Sequence, residues 1–303
     1  MNIDWFVIVN PVSGNGNFKK RWNTIQQELT KQNITYKAVK TTHSKHEIEL
    51  VHTAITDGFT NIISIGGDGT LHHIINGIMT QKIVETSKIT VAVIPLGTGN
   101  DWIKTYKIPT KISNAVQIIK QHKKVYQDIG FLELKNTSSY FNNVAGIGYD
   151  GYVVNKLNTL KKFGPIAYLL SGVAGLLLYK KTTFTIQIDD TTITAKSLMT
   201  LFGICKFSGG GMQLTKYKSS VSGLLDITVV KNFSFIELIA HIKQLYSGKI
   251  LNHKKVSTFV GKKIIITPEK TSELIYIQAD GELIGTGAVK VSILPRALQI
   301  VTP

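Results

Sequence analysis

Ile62-Ile63-Ser64-Ile65-Gly66-Gly67-Asp68-Gly69-Thr70 is a short apolar run that passes directly into a glycine-rich polar loop. The apolar positions from Leu71 to Met79 then recur at helical spacing. Strand, glycine loop and helix in that order is how a parallel strand delivers backbone amides to a ligand. Two other strands end the same way. Phe6-Val7-Ile8-Val9 runs into Asn10-Pro11-Val12-Ser13-Gly14-Asn15-Gly16, and Val91-Ala92-Val93-Ile94 runs into Pro95-Leu96-Gly97-Thr98-Gly99-Asn100-Asp101. A fourth strand is expected at 35–39, and helices at 19–31, 45–57 and 71–79. This alternation predicts a parallel sheet covered on both faces, with the three glycine loops gathered at its carboxyl edge. Glycines allow amides to approach phosphate oxygens, and the helices that follow aim their positive dipole ends at the same place.

Beyond Asp128 the pattern changes. Runs at 140–144, 184–188, 198–207, 225–230, 263–266 and 274–277 are separated by Gly, Asn and Ser turns, so this half reads as β-rich. The polar stretch 121–127 is expected to be the linker. The expected domains are therefore 1–125 and 126–295.

The 303 residues include 35 Lys and Arg against 19 Asp and Glu, a formal net charge of +16, which points to anionic partners. Hydrophobic residues make up 43% and charged residues 18%, which excludes a disordered chain. The single cysteine, Cys205, excludes a disulfide framework or a cysteine zinc cluster. The N-terminal residues lack the pattern of a signal peptide, so a cytoplasmic location is expected. The lysine pairs are scattered, and there is neither zinc-finger spacing nor an RNA-binding consensus, so nucleic acid is not an expected partner. An uncharged run at 163–179, bracketed by Lys161-Lys162 and Lys180-Lys181, falls short of a spanning helix. It reads as a helix buried or docked in the protein, or as one lying at a membrane surface with its lysines at headgroup level.

Walker A and kinase glycine-loop patterns are absent. A GxGxxG match at 146–151 sits in the β-rich half, outside any βαβ unit, and is not read as a dinucleotide site. The ordered set GGDGT at 66–70, PxGTxND at 95–101 and NPxSGxG at 10–16 resembles the diacylglycerol kinase catalytic family, in its soluble bacterial lipid-kinase branch. Asp128-Ile129-Gly130, Gly146-Ile147-Gly148, Gly223-Leu224-Leu225-Asp226 and Asp280-Gly281-Glu282 extend the resemblance over nearly the whole chain.

The resemblance implies an α/β N-terminal domain of the kind that diacylglycerol kinases and NAD kinases share. It also implies a β-sandwich-like second domain, a final strand at 296–303 that returns to the first domain, an active cleft between the two domains, and Mg²⁺-dependent transfer of the ATP γ-phosphoryl group to a lipid hydroxyl. Carried over, Gly66, Gly67, Asp68, Gly69 and Thr70 hold the nucleotide phosphates, with Asn10 and Thr98 nearby and Thr42 as a further nucleotide contact. Asp226 is implied as the acid of a structural Mg²⁺ site, with main-chain groups of Gly223 and Thr228. Asp101 and Asp128 join Asp68 as acids suited to catalytic Mg²⁺ and hydrogen bonding. Glu282 matches the general base for the lipid hydroxyl, with Asp280 beside it. A lipid alcohol and an anionic membrane surface met peripherally are the implied partners, and a β-rich second domain could form a homodimer through an edge strand or sheet face.

The chain departs from the family at Asn15, where many relatives carry a basic residue that Lys19 or Lys20 would replace. It departs again at His72-His73, which follow GGDGT and are expected at the surface or a cleft edge. His43 and His46 lack a further metal ligand visible in sequence and read as solvated. An NAD kinase, a sphingosine-type kinase and a non-catalytic nucleotide-binding regulator are the alternatives. Asp280-Gly281-Glu282 weighs against the first and Asp101 against the second.

Overall fold

The computed structural model describes residues 4–14, 16–157, 175–176, 179–216, 218–269 and 275–303. Asn15, most of the 163–179 run and the start of the 274–277 strand lie outside the described residues. The chain folds as two units, Met1–Ile129 with Pro295–Pro303, and Gly130–Leu294.

In the first unit β1 (Asp4–Val9), β2 (Thr35–Lys40), β3 (Asn61–Gly66) and β4 (Thr90–Pro95) form a parallel sheet in the order β2-β1-β3-β4. The end of β16 (Val289–Val301) adds to it beside β4, where Gln299 and Ile300 pair with Thr90 and Val91. β1, β3 and β4 are almost wholly buried, as strands covered on both faces must be, and so read as continuous apolar runs. β2 is the edge strand, alternately exposed and carrying Lys37 and Lys40.

Trp5, Val7 and Val9 of β1, Ile63 and Ile65 of β3, and Ala92 and Ile94 of β4 share one core cluster with helix residues. Those helices are α1 (Phe18–Lys31), through Ile25 and Leu29, and α5 (Ile112–Gln121), through Ala115, Val116 and Ile119. Each such buried Ile or Leu contributes roughly 1.5–3 kcal/mol. The alternate strand residues Phe6, Ile8 and Ile62 point to the opposite face. There α2 (His46–Thr56) and α3 (Asp68–Thr80) cross closely, because Gly77 has no Cβ; one there would stand 2.8 Å from Val51 Cβ. α4 (Asp101–Tyr106) follows the β4 loop.

The second unit is antiparallel. One sheet runs β12-β11-β10-β7-β14-β15, comprising β7 (Val144–Gly148), β10 (Met199–Gly203), β11 (Leu225–Val230), β12 (Val256–Gly261), β14 (Tyr276–Ala279) and β15 (Glu282–Thr286). A second ladder joins β9 (Thr191–Ser197), β8 (Thr182–Ile188), β13 (Lys263–Pro268) and residues 289–292 of β16. Ile188 of the second ladder and Ile227 of the first sheet both pack at Gly261. Among the described residues the unit also has helices α6 (Tyr149–Leu157), α7 (Phe235–Ala240) and α8 (Ile242–Ser247), α7 starting in a full capping box made by Ser234 and Glu237.

The run expected as a strand at 198–207 is one only over Met199–Gly203, and two further segments differ from the sequence expectation. The polar stretch read as linker is largely β5 (Lys124–Glu133), whose first three residues are exposed and conceal the strand from a hydropathy reading. The run expected as one strand at 140–144 is broken. β6 (Ser138–Phe141) ends before Asn142 and Asn143, and β7 begins after them, because the amides of that corner turn toward Asp280. The glycines of the GxGxxG match fall at the β7–α6 junction. Gly151 lies there against the backbone of Tyr276 and Gly148 takes a φ of +93°, so packing and turning account for them.

Candidate active site

Because β1 to β4 are parallel, their following loops share one edge of the first unit. Two hydrogen bonds join the loops after β3 and β4: Leu96 N–H and Gly97 N–H both donate to Gly66 O, at 2.8 and 3.2 Å. The approach needs glycine on both sides, since a Cβ on Gly97 would stand 2.6 Å from Gly67 Cα. Gly66 is equally constrained, for a Cβ there would overlap the Thr70 side chain. Asn100 holds the third loop in a left-handed conformation and donates from Nδ2 to Gly97 O at 2.5 Å.

Asp68 opens α3, and its carboxylate accepts the Asp101 and Trp102 amides at 3.0 and 3.4 Å. It thus caps α4, which has no cap of its own from Asn100. Asp101 is buried and pairs with Lys104 at 2.6 Å. Asn10 donates from Nδ2 to Thr70 Oγ1 at 2.9 Å and to Glu47 Oε1 at 3.4 Å, linking the first loop to α3 and α2. Thr42 lies exposed on the same edge, next to Thr41, whose N–H donates to Val9 O. Thr98 lines a depression of about 270 Å³ with Gly14, Arg21, Gly97, Asn100 and Ile112.

Arg21, Glu47 and Asn100 were missed by sequence reasoning. The Arg21 guanidinium donates to Leu96 O at 3.3 Å and borders the depression, whereas Lys19 and Lys20 are exposed. Arg21 thus places a cation at the glycine loop. His72 is a correction as well: it is buried, with Asn76 Nδ2 3.3 Å from its Nε2. His73, on the neighbouring face, sets Nδ1 3.4 Å from Glu47 Oε2. Asp128 is fully buried, and its carboxylate accepts the Arg296 amide at 2.8 Å, anchoring the start of the returning segment.

The remaining candidates belong to the second unit. Asp280 and Gly281 form the β14–β15 turn, both at positive φ, and Glu282 begins β15. The Asp280 carboxylate accepts three backbone amides, from Asn142, Asn143 and Val144, at 3.0, 2.9 and 3.2 Å. Gln278 Oε1 accepts the Gly281 amide at 2.8 Å, and its Nε2 donates to Asp150 Oδ2 at 2.5 Å. Burial pushes Asp150 up to about 6, the Gln278 hydrogen bond opposing it.

Asp226, on β11 opposite Gly203, is likewise pushed up to about 6 by burial, against the pull of Lys218 and Lys216. Thr228 lies two residues along the same face of the strand, and its buried hydroxyl has no partner among the described residues. Gly223 turns the chain before the strand at a φ of +67°. A half-buried carboxylate raised by desolvation beside an unsatisfied oxygen fits a hard cation with oxygen ligands.

The family model described as "Diacylglycerol kinase catalytic domain" matches residues 4–132. That described as "YegS C-terminal NAD kinase beta sandwich-like domain" matches residues 143–302. The chain is 28% identical to a protein named diacylglycerol kinase from Staphylococcus saprophyticus, covering 98% of this chain and 94% of that one. It is 25% identical to a protein of the same name from Mycobacterium tuberculosis, with the same two coverages. Among solved structures, a diacylglycerol kinase from Bacillus anthracis str. Sterne superposes with a TM-score of 0.76 at 21% identity, over 99% of this chain and 97% of that one. At that identity the likeness speaks to the fold.

Proposed function

The chain belongs to the diacylglycerol kinase catalytic family and is a lipid kinase, and from that premise we propose that it transfers the γ-phosphoryl group of ATP to the hydroxyl of diacylglycerol or a related lipid alcohol. The product is phosphatidic acid or its analogue. The observation that carries this reading is the cradle of the first unit, in which loops too tight for a Cβ meet beside the Arg21 guanidinium. Phosphoryl transfer asks for positioning and charge neutralisation more than covalent chemistry, and amides, a fixed cation and the start of α3 answer that need.

In this reading Asn10, Gly66, Gly67, Asp68, Gly69, Thr70 and Thr98 bind the nucleotide phosphates, and Thr42 contacts the nucleotide. Glu282 takes the proton from the lipid hydroxyl as its oxygen bonds to the γ-phosphorus; the bond from that phosphorus to the bridging oxygen breaks and ADP leaves. Asp280, bound by three amides, holds the turn that presents Glu282. Asp68, Asp101 and Asp128 would serve Mg²⁺ carried with the nucleotide and hydrogen bonding, the latter being what Asp128 does with the Arg296 amide, and Asp226 with main-chain groups of Gly223 and Thr228 would hold a structural Mg²⁺. The ion neutralises phosphate charge when bound.

Among the described residues no helix is long and apolar enough to cross a membrane. The net charge of +16 supports peripheral contact with an anionic membrane surface. Labelled ATP offered with a panel of lipid alcohols in mixed micelles, NAD included, tests the assignment. Label should enter diacylglycerol, and transfer to NAD alone would overturn it. Glu282→Gln should keep ATP affinity and lose transfer by at least about 100-fold.

A further inference from the structure

We infer that His43, His46 and Glu49 form a binding site for a divalent transition-metal ion of the zinc class, at the start of α2. Their ligand atoms all lie within 4.8 Å of one another. The two imidazoles stack with ring centroids 4.3 Å apart, and His43 Nε2 is 3.8 Å from Glu49 Oε2. The sequence places a histidine, a histidine and a glutamate three residues apart in turn, and it is the turn into α2 that folds them together. Lys45 makes that turn possible by adopting a φ of +64°.

The hydrogen bond of His43 suits ligation, whereas that of His46 must rearrange. His43 Nδ1 is 3.2 Å from Ser44 O, an oxygen that only accepts, so in the neutral tautomer that makes this hydrogen bond Nε2 faces Glu49 as a ligand atom. A backbone carbonyl holding the second ring nitrogen is the usual support of a metal-ligating histidine. His46 Nδ1 is 3.1 Å from both Thr42 N–H and Thr42 Oγ1. Ligation through Nε2 moves the His46 proton to Nδ1, where Thr42 Oγ1 accepts it, and the Thr42 amide loses its acceptor. The count of protons does not change.

Tetrahedral zinc needs ligand atoms about 3.3 Å apart, given bonds of about 2.0–2.1 Å. Ligation requires the two stacked rings to turn so that their in-plane lone pairs converge, and the His43 and Glu49 side chains, 52% and 66% exposed, have room to do so. Three protein ligands leave the fourth position for water. Two imidazole nitrogens favour zinc, copper or nickel over magnesium, so this site is chemically separate from the carboxylate positions proposed for Mg²⁺. It rests on no part of the kinase reading.

Calorimetric titration of the purified chain with ZnCl₂ in excess MgCl₂ tests the site. One Zn²⁺ per chain is expected, with affinity falling at least about tenfold in His43→Ala and in His46→Ala. His241→Ala/His253→Ala is the control, since those two rings are also close, with centroids 4.8 Å apart; it should bind Zn²⁺ as the parent does. Circular dichroism should confirm folding of each variant, none of which removes a buried side chain at the proposed site. Absence of zinc binding by the parent, binding unchanged in both single variants, or loss of binding only in the control would overturn the proposal.

Discussion

Asp150 is a carboxylate whose importance comes from what surrounds it. Its side chain lies against Gly146, where a Cβ would overlap it, and receives the Gln278 amide whose other end holds the turn before Glu282. Burial raises its pKa from 3.8 to about 6, so between those values the native state binds a proton that the unfolded state has released. Stability from this residue is therefore full below about pH 4 and is lost as pH rises through 6, a total of at most about 3 kcal/mol. Asp150→Asn keeps an acceptor for Gln278 and removes the charge. Urea unfolding at pH 5 and 7.5 should show the variant gaining on the parent by about 1 kcal/mol or more at the higher pH. An equal difference at both values would mean that Asp150 is solvated in the native state. Asp280 shows the opposite arrangement: its carboxylate is engaged by three amides, which suits a residue that positions its neighbour.

Among elements, the junction of the β3 and β4 loops is where packing and proposed chemistry coincide. Gly97→Ala introduces a Cβ 2.6 Å from Gly67 Cα and 2.8 Å from Asn100 Oδ1, and a backbone neighbour has nowhere to rotate. The substitution should cost about 1–3 kcal/mol and weaken ATP binding. A parental urea midpoint together with parental ATP affinity would refute the close-packed junction. This junction was legible in sequence because apolar strand, glycine loop and helix follow one another locally. Arg21 was not, since its partner Leu96 O lies 75 residues away. Nor was the break between β6 and β7, because the acceptor for those amides, Asp280, is more than 130 residues distant. β5 escaped for another reason: its exposed opening residues carry no hydrophobic period. His43 and His46 read as solvated until the turn at Lys45 and the first turns of α2 brought Glu49 beside them.

For the molecule as a whole, the excess of 35 basic over 19 acidic residues is the property that a membrane surface would read. An anionic leaflet attracts basic groups near it by about 1 kcal/mol each, and salt shortens the reach of that attraction to about 8 Å at physiological ionic strength. A lipid kinase whose acceptor sits in such a leaflet gains local concentration from the charge without any specific headgroup site. With diacylglycerol held constant in vesicles, activity should rise as phosphatidylglycerol replaces phosphatidylcholine. It should fall again as NaCl increases from about 0.05 to 0.5 M, a range over which the Debye length drops about threefold. Turnover of a water-soluble short-chain diacylglycerol below its micellar concentration supplies the control, because no surface is involved and only the nucleotide step can respond to salt. If both substrates lose activity in parallel, the salt acts on phosphate binding at Arg21 and the glycine loops. If only the vesicle reaction responds, the charge acts through the membrane.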